Sequence, residues 1–226
     1  MSGLRCLIVG ASRGIGYELA RQYAADGHTV IGTFRASADG ERLVALGARG
    51  IRADVLAEGW APALAGALAG QALDLVIINA GIAGPRSTTT VAPDLASFDA
   101  VMRTNVLPSM QLIPELADTL AASGGKLVVV SSRMGSIGNA SDASSWLYRA
   151  SKAALNSVLK SASIELGVRG VVCMALHPGW VQTDMGGAAA TLGVAQSVSA
   201  MRHVIAAANR SHNGRFLNYN GEQLEW

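Results

Sequence analysis

Strand-sized apolar runs alternate with helix-sized segments along this chain, and that alternation restricts its fold more than any other feature. Residues 4–9 form an apolar run stopped by Gly10, as a buried parallel strand would be. Residues 14–26 then read as a helix with Ile15, Leu19 and Tyr23 on one face. Further strands are expected at 29–34, 50–53, 73–79, 126–131, 171–176 and 215–219. Further helices are expected at 42–46, 60–69, 95–122, 146–167 and 196–208. Pro108 and Pro114 should bend or interrupt the stretch 95–122, because proline lacks an amide N–H and crowds the preceding turn. Strands separated by helices imply crossover connections and a parallel sheet covered on both faces. The expected class is α/β, a doubly wound, mostly parallel seven-stranded sheet with helices on both faces.

The totals agree with one such domain over residues 1–226, since no linker of proline, serine or charge divides the chain. Apolar residues make up 50% and charged residues 15%, which favours a large core over disorder. Mean hydropathy is +0.31, yet apolar stretches such as 126–130 fall well short of the roughly 18 residues a membrane span needs. A net charge of +2 is too small and scattered to indicate nucleic acid or a membrane surface as partner. Cys6 and Cys173 sit in apolar runs, without the neighbours of a zinc site, and read as buried free thiols. Residues 1–5 lead straight toward a strand without a signal-peptide core, so a cytoplasmic location is expected.

The first strand runs into Gly10-Ala11-Ser12-Arg13-Gly14-Ile15-Gly16. Glycines suit a sharp turn from strand to helix that lets a pyrophosphate approach the backbone and the helix N-terminal amides. This is the setting of a Rossmann-like dinucleotide site, although the spacing is G-x-x-x-G-x-G. NAD sites commonly carry an acid near the end of the second strand, for the ribose hydroxyl. Here Thr33-Phe34-Arg35 stands there instead. An acid would repel a 2′-phosphate, whereas the Arg35 guanidinium can hold one, and Arg13 in the turn can approach it too. NADP(H) is therefore expected over NAD, the alternative being that both arginines are ordinary surface residues.

Tyr148 and Lys152 lie four residues apart and share a helix face. A nearby ammonium favours phenolate, so Lys152 is expected to lower the Tyr148 pKa and fit it for proton transfer at a carbonyl oxygen. Such a pair alone is common on helices. Combined in order with the glycine turn, Asn79-Ala80-Gly81 and Ser131-Ser132, it resembles the short-chain dehydrogenase/reductase family, from about residue 4 to about 185. The ending Phe216-Leu217-Asn218-Tyr219-Asn220-Gly221, followed by Trp226, is also similar to the small C-factor and sniffer-type carbonyl reductases of that family.

The resemblance implies roles. Tyr148 would be the general acid/base, Lys152 its pKa-lowering partner and a ligand of the nicotinamide ribose. Ser132 would hydrogen-bond the substrate oxygen, and Asn105 would hold a water of the proton relay. Asn79, Ala80 and Gly81 would line the middle of the cofactor, beyond the turn of Gly10, Ser12, Arg13, Gly14, Ile15 and Gly16. Asp54, followed by Val55, would accept from the adenine amino group. Pro178, Gly179, Val181 and Thr183 belong to the loop that would hold the carboxamide. Plainer readings remain beside these: Asn79 and Asn105 as loop or cap residues, Asp54 as a helix cap, and Ser131 as rival to Ser132.

Two departures from the family pattern concern the substrate mouth. The spacing from Ser132 to Tyr148 is sixteen residues where thirteen is commonest, which places a polar insert within 139–145. The segment after Thr183 is short, and Gly186-Gly187-Ala188-Ala189-Ala190 looks flexible, which predicts an open pocket or one completed by a second subunit. Arg133, Met134, Trp146, Trp180 and Met185 are candidates for the pocket wall, with core or interface packing the alternative for the aromatics and methionines. An apolar wall would suit a hydrophobic ketone or aldehyde, and Arg133 an anionic group. The expected partner is a small carbonyl or alcohol, with a sugar, lipid or quinone substrate also open. A nucleotide-binding signalling protein with little turnover is the rival of another class. The family's habit implies a homodimer or homotetramer through the long helices, where Leu155, Val158 and Leu159 suit core and interface alike.

Overall fold

A computed structural model describes residues 3–226. Seven strands are present: β1 (Arg5–Val9), β2 (Thr29–Phe34), β3 (Arg49–Arg52), β4 (Leu75–Ile78), β5 (Lys126–Val130), β6 (Val172–His177) and β7 (Arg215–Asn218). Between them run α1 (Gly14–Ala25), α2 (Ser37–Ala45), α3 (Trp60–Ala67), α4 (Leu95–Asn105), α5 (Leu107–Ser123), α6 (Trp146–Gly167) and α7 (Val194–Ala207). The strands form one sheet in the order β3-β2-β1-β4-β5-β6-β7, and every neighbouring pair is parallel. The strand order reverses between β1 and β4, and a parallel sheet of this kind opens a crevice there, at its carboxyl edge.

Strand alternation divides the core in two. Leu7 and Val9 of β1 pack with Leu112 and Leu116 of α5 and with Leu155 and Leu159 of α6. Cys6 and Ile8 face the other way, toward Leu19 and Tyr23 of α1, Leu43 of α2 and Met201 of α7. Each fully buried leucine contributes roughly 1.5–3 kcal/mol through the water it sheds. Leu155 and Leu159 are wholly core and Val158 packs against the same cluster, so these positions are taken up within the chain. Cys6 and Cys173 are buried free thiols, and burial pushes both up to about 12. Among the described residues no helix is long and apolar enough to cross a membrane.

One element starts well before the sequence expectation. The helix expected at 42–46 begins at Ser37. Gly40, a poor helix former, lies inside it because the Phe34 ring packs there, and a Cβ on Gly40 would come within 2.5 Å of that ring. The stretch 95–122 is interrupted beside Pro108, as expected: it is two helices parted at Val106 with φ −115° and ψ −57°. Pro108 sits in the first turn of α5, where its missing N–H is tolerated, and Ser109 N–H donates to the Val106 carbonyl at 3.1 Å. The helical partner of the Asn105 carbonyl is thereby redirected. Pro114 stays inside α5 with its ring exposed, and does not end it.

Candidate active site

The carboxyl ends of β1, β4, β5 and β6 deliver most of the residues singled out from the sequence to the crevice. At β1 the chain turns through Gly10, at φ 85°, directly against the Ala80 backbone, where a Cβ would lie 2.9 Å from the Ala80 nitrogen. Gly14, at φ 54°, opens α1 beside Thr183, whose Cγ2 would be 3.5 Å from a Cβ there. Gly16 presses α1 onto the turn so closely that a Cβ would meet the Gly10 carbonyl oxygen at 2.0 Å. Asn79 Nδ2 donates to that same oxygen at 2.8 Å. No side chain caps the N-terminus of α1. The amides of Gly14, Ile15 and Gly16 begin the helix behind Ser12 and Arg13, so a bare, positively polarised helix end faces the turn.

The charged residues near this turn are arranged differently. Arg13 is exposed and ion-paired with Asp184, across the cleft from the glycine turn. Arg35 follows β2 and is exposed. Asp54 follows β3, and its carboxylate accepts from the Leu56 N–H at 3.0 Å, while Val55 packs against the core. Gly59, not Asp54, occupies the N-cap of α3, so the helix-cap reading of Asp54 fails.

Tyr148 and Lys152 lie on the first turns of α6, with the Lys152 Nζ 5.8 Å from the centroid of the Tyr148 ring. Lys152 is buried, its Nζ donates to the Val130 carbonyl at 3.0 Å, and desolvation brings it down to about 8. Burial raises the Tyr148 phenol above its ordinary value, and a hydrogen bond with Ser132 pulls the other way. This corrects the expectation that Lys152 lowers the phenol. Its ammonium is engaged by the β5 carbonyl and is itself poorly solvated, so desolvation of the ring prevails.

The two serines after β5 separate cleanly. Ser131 turns into the core, where its hydroxyl donates to Asn156 Oδ1 at 2.6 Å. Ser132 faces Tyr148 and accepts from the Met134 N–H at 3.2 Å, opening a short 3-10 turn at Arg133–Gly135. Asn105, the last residue of α4, is buried and locked to Ile82: its Oδ1 accepts from the Ile82 N–H at 2.8 Å and its Nδ2 donates to the Ile82 carbonyl at 2.9 Å. The same Nδ2 donates to Ser151 Oγ at 2.9 Å, and Ser151 donates to the Tyr148 carbonyl at 2.8 Å. A Cβ on Gly81 would lie 3.2 Å from Asn105 Oδ1 and 3.4 Å from Lys152 Nζ. Gly81 therefore marks the point where the β4 loop, α4 and α6 converge.

The loop after β6 is tied back on itself. Pro178 is buried and its carbonyl accepts from Ser197 Oγ at 2.6 Å. Gly179 has φ 86°. Val181 pairs with Leu192 in a parallel bridge, and Thr183 Oγ1 accepts from the Gly186 N–H at 3.0 Å. The segment expected to be flexible is held here by Gln182 Nε2, donating to the Ala190 carbonyl at 3.0 Å, and by Trp180 Nε1, donating to the Gly186 carbonyl at 2.9 Å. Trp146 donates to the Val91 carbonyl at 2.8 Å. With both indole N–H groups satisfied and both rings exposed, Trp146 and Trp180 present apolar faces, as does Met185. Arg133 is exposed and Met134 half-buried.

The family model described as short chain dehydrogenase matches residues 5–191. The chain belongs to the short-chain dehydrogenase family. It is 39% identical over 155 residues to the C-signal of Myxococcus xanthus, covering 68% of this chain and 93% of that protein. Among solved structures of the family, a carbonyl reductase from Pseudomonas aeruginosa PAO1 in complex with NADP is 32% identical, with a TM-score of 0.88 over 100% of both chains. The carbonyl reductase Sniffer of D. melanogaster is 28% identical, with a TM-score of 0.88 over 100% of both chains. The resemblance to C-factor and sniffer-type proteins thus finds its counterparts among these relatives.

Several residues of this short-chain dehydrogenase site escaped the sequence reading. Thr33, buried, accepts from the Gly10 N–H at 2.8 Å through its hydroxyl, fixing the glycine turn to β2. Arg42 of α2 reaches the Ser12 carbonyl and lies 5.2 Å from the centroid of the Tyr17 ring. Asn156 holds both Ser131 and, at 3.2 Å, the Gly135 carbonyl. A polar residue inside an apolar strand was the available signal for Thr33, and its four-residue offset from Lys152 was the signal for Asn156.

Proposed function

We propose that this short-chain dehydrogenase is an NADP(H)-dependent oxidoreductase that transfers a hydride between nicotinamide and a carbonyl or alcohol, with Tyr148 as general acid/base. One observation supports the reading: Tyr148 hydrogen-bonds Ser132 and has Lys152 Nζ 5.8 Å from its ring centroid, while Lys152 and Asn105 converge on Gly81. The turn fits a dinucleotide because Gly10 and Gly16 bring backbone against backbone where any side chain would intrude, leaving the α1 amides bare. Gly10, Ser12, Gly14, Ile15 and Gly16 would cradle the pyrophosphate. Arg35 and Arg13 would take the 2′-phosphate, with Arg13 exchanging its Asp184 partner for it. Asp54 and Val55 would border the adenine, and Asn79, Ala80 and Gly81 the centre. Pro178, Gly179, Val181 and Thr183 would frame the nicotinamide end.

When bound, NADPH supplies the hydride. Tyr148, raised by burial, keeps its proton at neutral pH and can donate it to a carbonyl oxygen that Ser132 orients. Lys152 would bind the ribose, its Nζ standing 5.8 Å from the centroid of the Tyr148 ring. The bound-cofactor structures of relatives support the choice of cofactor. The exposed faces of Trp146, Trp180 and Met185 favour an apolar carbonyl compound.

NADPH oxidation measured against a panel of carbonyl compounds tests this reading. Tyr148→Phe is expected to lose roughly 10²–10⁴-fold in turnover while still binding NADPH. Full turnover by that variant on a good substrate would remove Tyr148 from the proton path. Arg35→Ala should erode the preference for NADPH over NADH. The identity to a protein named C-signal favours one rival, a nucleotide-binding signalling protein with little turnover. That rival predicts NADPH binding without oxidation across the whole panel.

A further inference from the structure

The hydrogen bonds that pin the serine loop do not all come from its own neighbourhood. The main-chain N–H groups of Ile137 and Gly138, just after the 3-10 turn that Ser132 opens, both donate to the carbonyl oxygen of Trp226, at 3.0 and 3.1 Å. One carbonyl with two lone pairs can satisfy both donors. The loop's other end is tied elsewhere, by the Ser145 N–H donating to the Ser87 carbonyl at 2.9 Å. The insert that lengthens the gap between Ser132 and Tyr148 is therefore held at both ends by segments remote in sequence.

Trp226 is in turn built onto the core. Its ring stacks on Phe216 of β7, centroids 5.6 Å apart, and Phe216 is fully buried. Lys160 Nζ lies 5.9 Å from the Trp226 ring centroid. The tail turns back beside β7: Asn218 N–H donates to the Glu222 carbonyl and Leu224 N–H to the Phe216 carbonyl, both at 2.8 Å, with Leu224 buried. A rigid path thus runs from the edge strand through the indole to the loop at the substrate mouth. The groups named on this path come from β7, α6, the C-terminal tail and the serine loop.

We infer that Trp226 is a positioning residue, which anchors the Ser136–Asn139 part of the serine loop and so shapes the substrate side of the cleft without acting on the cofactor side. The inference rests on the proposed carbonyl chemistry for its kinetic consequence. The 3-10 turn itself stays fastened to α6 by Asn156 on the Gly135 carbonyl, so the effect falls on the mouth more than on the Ser132 hydroxyl.

Trp226→Ala and Trp226→Phe decide it, in the full chain, by two readouts. In Trp226→Ala the Ile137 and Gly138 amides should lose hydrogen-exchange protection while those of β5 and β6 keep theirs. KM for the best carbonyl of the panel should rise about tenfold, with kcat and the NADPH dissociation constant within about twofold. Trp226→Phe, which keeps the stacking on Phe216, should restore both. Unchanged protection at 137 and 138 in Trp226→Ala would overturn the anchor. Lost protection with KM unmoved would overturn its influence on the substrate. A wild-type protein without turnover would sink the proposed chemistry instead, and the exchange measurement would still decide whether Trp226 holds the loop.

Discussion

A Cβ at Gly16 would stand 2.0 Å from the Gly10 carbonyl oxygen and 2.6 Å from Asn79 Nδ2, so it would strike both the backbone of the turn and the side chain that braces it. Neither can yield without moving the turn. Gly16→Ala is expected to cost about 1–3 kcal/mol in stability, as overpacked sites do, and to weaken NADPH binding at least about tenfold. Chemical denaturation and fluorescence titration with NADPH check the two effects, and wild-type affinity in the variant would remove the cradle from the binding argument. At this scale the sequence was informative where a residue's chemistry is peculiar to its place. Glycine in a strand-to-helix turn was one such case, and tyrosine four residues before lysine was another. It favoured Ser132 only through the resemblance and kept Ser131 as a rival, because the two differ only in side-chain direction, which depends on the pleat of β5 and on Asn156. It also gave the wrong sign for the Tyr148 phenol, because burial cannot be read from a helix face alone.

Elements were legible in kind and less so in extent. Apolar runs marked the central strands, since a parallel sheet covered on both faces leaves little room for polar positions there, whereas the edge strands β3 and β7 carry arginines at their ends. The start of α2 was hidden by Gly40, whereas Pro108 announced the division of α4 from α5, which falls two residues before it. Glycines within helices make this physical point testable. Gly66 of α3 is exposed, and a Cβ there would have no heavy atom within 4 Å beyond its own helix. Gly66→Ala should stabilise the protein by roughly 0.5–1 kcal/mol through helix propensity alone. Gly40→Ala gains the same propensity, yet its Cβ would fall 2.5 Å from the Phe34 ring, which Gly50 crowds from another side. There the ring must be displaced, and a net loss of about 1–2 kcal/mol is expected. Urea denaturation of both variants gives the comparison. Stabilisation by Gly40→Ala would mean that the ring swings aside freely, and that the glycine is not required by packing.

The whole molecule's response to acid depends on groups that differ in when they act. Asp142, drawn down to about 2 by Ser144 and Arg149, and Asp94, lowered by its cap on α4, contribute stability that disappears only as pH falls below the ordinary carboxylate range. His177, at the end of β6, acts earlier. Burial, aided by the charge of Arg133, pushes it down from 6.5 to about 4, and its Nδ1 is buried without a hydrogen-bond partner. Between those values the unfolded chain binds a proton that the folded chain refuses. Stability is then complete above about 6.5 and is lost as pH falls toward about 4, by roughly 3 kcal/mol at most for this single ring. The sequence offered no hint of this, since a histidine before Pro178 looks the same whether it faces solvent or the interior. His177→Gln removes the titration but keeps a polar side chain of similar reach. Its unfolding free energy, measured in urea from pH 7 to 4.5, should lose most of the slope seen in the wild type, while the steep loss below pH 4 remains. An undiminished slope in the variant would show that the ring is hydrated in the folded state, and that another group senses acid in this window.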